Sequence, residues 1–247
     1  MRIQRKLRES WYAVRMDLVP DNPCRRVVIP KGEAKEKEIY TLEEVEAIFA
    51  ALENEPLKFK IFIILAVYNG FRRGEILGLE WKDIGWDNNV ISVKRTSNYT
   101  GKASGIYTDT TKTKKSQRSL KFPLIIMSLL RQFKAEQDAY KENLGDKWVK
   151  TDRLFVKWNG LPMHNNTPYF WFSEFCKKHG FRFCDIHSLR HLHCSLLINA
   201  GIDVVSVSAD LGHSCVGTTV NTPYGHTYPV QPYSIIKQGY KPHFSDL

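Results

Sequence analysis

No stretch of this chain is apolar for long enough to cross a bilayer. The longest apolar run, Ile61 to Val67 (IFIILAV), falls far short of the ~20 residues a membrane helix needs and reads as a buried core helix. The opening MRIQRKLRES is basic but leads into no apolar segment, which excludes a secretory signal. Cysteine is scarce. Cys24, Cys176, Cys184, Cys194 and Cys215 are odd in number and contain no C-x-x-C pair, so the expectation is a reduced, cytoplasmic chain. Internal repeats and low-complexity tracts are missing as well. Negative charge is in deficit: 26 Asp and Glu stand against 36 Lys and Arg, a net +10. A surplus of that size favours a polyanion such as nucleic acid over acidic metabolites, although a basic surface also serves solubility alone.

What is present is a globular composition, 43% hydrophobic over 247 residues, enough for one large domain or one domain and part of another. Residues 2–18 space Ile3, Leu7, Trp11, Val14 and Leu18 by threes and fours, as in a single helix. Prolines, glycine and charges follow, placing a linker and a boundary near residue 38. The main domain opens at TLEEVEAIFAAL, with Thr41 as N-cap and Glu44 at the capping-box position. Helices are expected over 57–68, 71–79, 124–141, 167–179, 185–200 and 203–211, with Asn69-Gly70 and Gly201 as stops. Between 89 and 123 the pattern becomes that of strands, VISVKRT, GIYTDTTKT and RSLKF, with KTKKSQR as the tip of a hairpin and no β structure afterwards. The expected fold class is α+β, mainly helical, with a small antiparallel sheet.

Four clusters could carry chemistry. In GFRRGEILGLEW, Arg72 and Glu75 share a helix face, which holds the arginine; an ordinary surface ion pair has the same spacing. In CDIHSLRHLHCSLL, Asp185 is the N-cap, and His187 and Arg190 share a strip with His191 and Cys194. Such a helix start suits an anion, above all a phosphate gripped by arginine. Zinc competes on paper through Cys184, His187, His191, His193 and Cys194, but no second pair completes a zinc spacing and Arg190 would repel the cation. In TTKTKKSQRSL, the cations Lys112, Lys114, Lys115 and Arg118 fit a DNA backbone or a solvated hairpin tip. Finally, LGHSCVGTTVNTPYGH places His213 after Leu-Gly and Tyr224 eleven residues later.

The order of these clusters says more than any one of them. Arg, then Lys on a hairpin, then His-x-x-Arg at a helix start, then Leu-Gly-His, then Tyr resembles the phage-integrase family of tyrosine recombinases from about Tyr40 to Tyr228. The resemblance implies a catalytic domain over 39–228, preceded in 1–38 by the last helix of a largely missing DNA-binding domain plus linker, and followed by a tail, 229–247. By the same resemblance Arg72 and Arg190 are the active-site arginines, Lys112 its lysine, His187 and His213 its histidines, Tyr224 the nucleophile and Glu75 the support of the first arginine. Lys114, Lys115, Arg118 and Arg73 are the further cations expected on DNA.

The implied chemistry is cleavage and rejoining of double-stranded DNA through a 3′-phosphotyrosine, with no metal, ATP or other cofactor. The two arginines and His213 stabilise the phosphate oxygens, His187 takes or relays the phenol proton, and Lys112 or Lys114, which spacing does not separate, protonates the leaving 5′ oxygen. Self-association on DNA, a tetramer in the family, is implied, with a monomer when free and no membrane partner. Tyr224 stands one residue later than the family's usual nine or ten after the second histidine, with Pro223 inserted before it. A non-catalytic DNA-binding remnant and a type IB topoisomerase-like relaxing activity are the alternatives.

Overall fold

The computed structural model describes residues 10–22, 39–101, 105–110, 117–199, 201, 205, 207 and 211. The chain falls into two compact units, Met1–Glu36 and Lys37–Leu247. In the first unit residues 10–15 are helical (α1). The helix expected to reach Leu18 stops earlier, because Asp17 adopts φ 53° and Leu18 N–H turns back to the Ala13 carbonyl at 2.9 Å.

The second unit begins with α2, Leu42–Leu52. Thr41 caps it reciprocally: its backbone N–H donates to Glu44 Oε2 at 2.7 Å, and its hydroxyl accepts from Glu44 N–H at 3.3 Å. Helix α3, Leu57–Tyr68, is the centre of the core, with every residue from Phe59 to Val67 buried. A helix apolar all round has no solvent face, and α3 accordingly packs against α7 (Ile186–Asn199), α5 (Leu124–Leu144) and α4 (Arg73–Gly78). Its one buried cation, Lys60, is paired with Glu53 at 2.6 Å. Helix α6, Thr167–His179, closes the domain with Phe172 and Phe175 against Tyr40 and the segment before α7.

The strands form two small antiparallel sheets. In the first, β2 (Val90–Val93) lies between β1 (Ile84–Gly85) and β5 (Arg118–Lys121), with Ile91 opposite Ile84 and Leu120. The second pairs β3 (Arg95–Tyr99) with β4 (Ile106–Thr110), Arg95 opposite Thr110. VISVKRT is therefore not one strand: the chain breaks at Lys94 and changes sheet. The partner of β3 explains the break. Helix α4 presents Gly74 and Gly78 to it, where a Cβ would stand 2.5 Å from Thr96 Oγ1 and 2.8 Å from the Arg95 carbonyl oxygen. Only a bare backbone admits β3 that close. β structure also continues past Pro123, in isolated bridges Glu80↔Arg153 and Val156↔Pro162.

A buried ion cluster ties these pieces together. Arg95 pairs with Asp83 and with Glu80 (3.1 Å), and Arg153 with Glu80 (3.6 Å) while donating to the Leu77 carbonyl at 2.8 Å. The helix expected over 203–211 falls largely outside the described residues; Val205 and Val207 are helical.

Candidate active site

Gly70, at φ 58°, turns the chain out of α3 and leaves Arg72 extended (φ −69°, ψ 144°) as the N-cap of α4. The helix expected from Phe71 thus starts at Arg73, and Glu75, three residues on, reaches back to the N-cap. Its Oε2 accepts the Arg72 backbone N–H at 2.9 Å and its Oε1 accepts Arg72 Nη1 at 2.7 Å. The arginine is held at both ends, yet its side chain keeps 38% exposure.

Glu75 has a second partner that the sequence placed elsewhere. Arg118, expected among the DNA-contacting cations of the hairpin, is the first residue of β5 with its side chain only 8% exposed. It forks onto both Glu75 oxygens at 3.2 and 2.9 Å and lies over the Phe71 ring at 5.3 Å. Its guanidinium is committed inward, so the reading as a backbone contact is corrected. Burial opposes ionisation of Glu75, but the Arg118 fork and the charge of Arg72 outweigh it and hold the carboxyl below its usual range.

Arg190 is buried on α7, donating to the Gly70 carbonyl and, through Nη2, to the Leu211 carbonyl at 2.7 Å. Arg72 Nη1 reaches that same Leu211 oxygen at 3.4 Å. Two guanidinia from different elements therefore converge on one oxygen. Burial, then the neighbouring Arg72, lowers the Arg190 guanidinium to about 10, which leaves it charged at neutral pH. His193, one turn on, is held neutral at about 4 by burial and then by Arg190. Its ring fills the space above Gly70, where a Cβ would stand 2.7 Å away.

His187 begins α7 from the exposed side, its ring edge-on to His191 at 4.6 Å. Asp185 caps the helix, Oδ1 accepting Ser188 N–H at 2.8 Å. Arg72, Arg73 and His187 line one cleft of about 530 Å³ together with Ser97, Asn165 and Tyr169. Arg73 is exposed there and donates to Asn166 Oδ1 at 3.3 Å. The arrangement is an anion site: rigid guanidinium donors at the wall of an open, cationic cleft beside a histidine. Among the described residues no group of three or more His, Cys, Asp or Glu is placed to hold a metal ion, and no helix is long and apolar enough to cross a membrane.

Of the expected site residues, Arg72, Arg73, Glu75, His187 and Arg190 come together here. Lys112, Lys114, Lys115, His213 and Tyr224 lie outside the described residues, as do Pro223 and the tail 229–247. Sequence reasoning missed the inward role of Arg118 and the cleft positions of Ser97 and Asn165, whose partners lie 43 and 68 residues away along the chain. No local pattern could have signalled them.

A family model, described as the phage integrase family, matches residues 38–229. The ICEBs1 integrase of Bacillus subtilis (strain 168) is 29% identical over 217 residues, 88% of this chain and 58% of the relative. A XerC-like tyrosine recombinase of Caldanaerobacter subterraneus is 28% identical over 243 residues, 92% of this chain and 61% of the relative. Transposase A from transposon Tn554 of Staphylococcus aureus is 31% identical over 195 residues, 78% of this chain and 50% of the relative. The chain thus spans less than two thirds of the length of these relatives. Among solved structures, the Tn1549 transposon integrase, in complex with transposon right end DNA, superposes with a TM-score of 0.71 at 21% identity, covering 92% of this chain and 75% of that one. The XerA recombinase gives 0.61 at 17%, covering 95% and 73%. At these identities the likeness is one of fold, the mainly helical tyrosine-recombinase catalytic fold with small antiparallel sheets.

Proposed function

The chain belongs to the phage integrase family, and from that premise we propose that it is the catalytic domain of a site-specific DNA recombinase, acting on double-stranded DNA without metal or ATP. The catalytic domain is assigned to 39–228, with 1–38 as the end of a preceding DNA-binding region and its linker. The observation that carries the reading is the convergence of Arg72 and Arg190 on one oxygen beside His187.

In the proposed reaction a scissile phosphate takes the acceptor role that the Leu211 carbonyl fills in the resting chain. Arg72 and Arg190 stabilise charge growing on the two non-bridging oxygens, with His213, two residues past Leu211, as a further donor. Glu75 and Arg118 hold Arg72 in place from behind. Tyr224 Oη attacks phosphorus, forming the O–P bond of a 3′-phosphotyrosine as the P–O5′ bond breaks. The phenol, with an ordinary pKa near ~10, gives its proton to His187, and Lys112 or Lys114 protonates the departing O5′. Because the phosphodiester energy is kept in the tyrosine linkage, a 5′ hydroxyl from another strand reverses these steps and rejoins DNA. The protein functions as an assembly of copies on DNA.

Nicked suicide duplexes carrying a candidate site, incubated with the chain in EDTA, are expected to give a denaturant-stable protein–DNA adduct that Tyr224→Phe abolishes. Retention of duplex with strands intact in every case would reduce the protein to a DNA-binding remnant. Relaxation of supercoiled DNA without strand exchange would make it a topoisomerase.

A further inference from the structure

The cleft beside the anion site is also lined by two polar residues that the phosphate chemistry leaves unused. Asn165, 7% exposed, and Ser97, 1% exposed, both line it. Asn165 Nδ2 donates to the Ser97 carbonyl oxygen at 2.6 Å. This bond fixes the orientation of the amide, since the flipped form would press Oδ1 against that carbonyl. Asn165 Oδ1 is thereby the free end, and it has no hydrogen-bond partner among the described residues; neither has Ser97 Oγ. A buried acceptor left without a partner costs roughly 1–3 kcal/mol, and here two such groups, one on β3 and one ahead of α6, belong to residues that line the same cleft.

Their chemistry restricts what completes them. A phosphate has only acceptor oxygens at neutral pH and offers Oδ1 nothing. Oδ1 requires a donor, and the donors that DNA carries are the exocyclic amines of adenine, cytosine and guanine; thymine has none. One Nδ2 hydrogen is held by the Ser97 carbonyl, and the contact that remains open to a base is the bond Oδ1 accepts, with the Ser97 hydroxyl beside it. Tyr169, partly exposed, lines the same space and supplies ring surface for a base.

We propose that Ser97 and Asn165 form a base-reading subsite that accepts the exocyclic amine of a nucleobase neighbouring the phosphate held by Arg72 and Arg190, and so disfavours thymine at that position. The proposal rests on the recombinase reading above and adds a specificity element to it. Division of labour follows: the arginines bind any sequence, and the Ser97–Asn165 wall discriminates.

The test selects duplexes from a randomised pool with the full chain. In the tightest duplex, each amine-bearing base is then replaced by its amine-free analogue: purine for adenine, 2-pyrimidinone for cytosine, hypoxanthine for guanine. One position is expected at which the replacement weakens wild-type binding roughly ten- to a hundredfold. In Asn165→Ala the same replacement changes binding by no more than about twofold, within the scatter of one lost weak contact. Ser97→Ala removes a hydroxyl that has no partner, so it folds at least as stably as wild type while losing part of the discrimination. Arg72→Gln weakens all duplexes alike and keeps the discrimination. If the chain retains duplex but no amine replacement separates wild type from Ser97→Ala and Asn165→Ala, the subsite is overturned and the recombinase reading stands. If no duplex is retained at low salt, the recombinase reading falls and this one with it.

Discussion

Two buried ion clusters flank α4, built from the same residue types and differing in balance. Beyond its C-terminal end, Arg95 and Arg153 meet Glu80 and Asp83, two guanidinia for two carboxylates, joined only at the rim by exposed Lys82 and Lys94. At its N-terminal end, Arg72, Arg118 and Arg190 share one carboxylate, Glu75. The first cluster matches each buried guanidinium with a carboxylate and ties loops to strands. The second is short of negative charge at the place where the cleft opens, so an anion is what completes it. Unequal charge separates scaffold from site more clearly than the residue types do.

The largest effect that should break this comparison comes from Glu75→Gln. It leaves Arg118 buried without a counter-ion and is expected to cost about 3–5 kcal/mol in urea unfolding. Glu80→Gln should cost roughly half that, because Asp83 still holds Arg95 and the Leu77 carbonyl still holds Arg153. Equal losses would mean that the surplus at the cleft is not a property of the native balance.

His193 reads the same surplus through pH. Its folded pKa of about 4 lies below its unfolded value near 6.5, so between these values the unfolded chain binds the extra proton. Stability is full above pH ~6.5, falls as pH drops towards ~4 by an amount on the order of 3 kcal/mol, and is not lost further through this group below that. Unfolding curves of His193→Gln should lack that slope.

Legibility in the sequence divides along similar lines. The reciprocal cap at Thr41 and Glu44, the buried run of α3 and the Asp185 cap of α7 were readable because each is settled by neighbours within four residues. The arginines and His187 were singled out because their order along the chain matches a known pattern, and the structure brings them to one cleft region. The break at Lys94 was not readable: Val90 to Thr96 alternates like one strand, and only the bare flank of Gly74 and Gly78 draws β3 away. Arg118 looked like a hairpin cation because its acid partner is a helix residue far upstream. Lys112, His213 and Tyr224 lie outside the described residues, and their roles rest on motif order.

Gly74→Ala tests the route by which β3 reaches the cleft. The new methyl would stand 2.5 Å from Thr96 Oγ1 and 3.0 Å from the Ser97 carbonyl oxygen, at an expected cost of about 1–3 kcal/mol by thermal unfolding. The smallest effect compares the clusters by ligand. Inorganic phosphate at ten times its dissociation constant should stabilise the wild type by about 1.4 kcal/mol. Arg72→Gln should lose that response, and Arg153→Gln, though less stable, should keep it.

The shared oxygen of Leu211 has a last consequence. Because Arg72 and Arg190 already donate to it, the resting site is a filled socket, and in the proposed reaction a phosphate enters by exchange. What a phosphate gains is the difference between its own oxygens and a peptide carbonyl, so affinity falls below what a count of contacts suggests. The carbonyl exchanged in the proposed reaction belongs to Leu211, two positions before His213 along the chain.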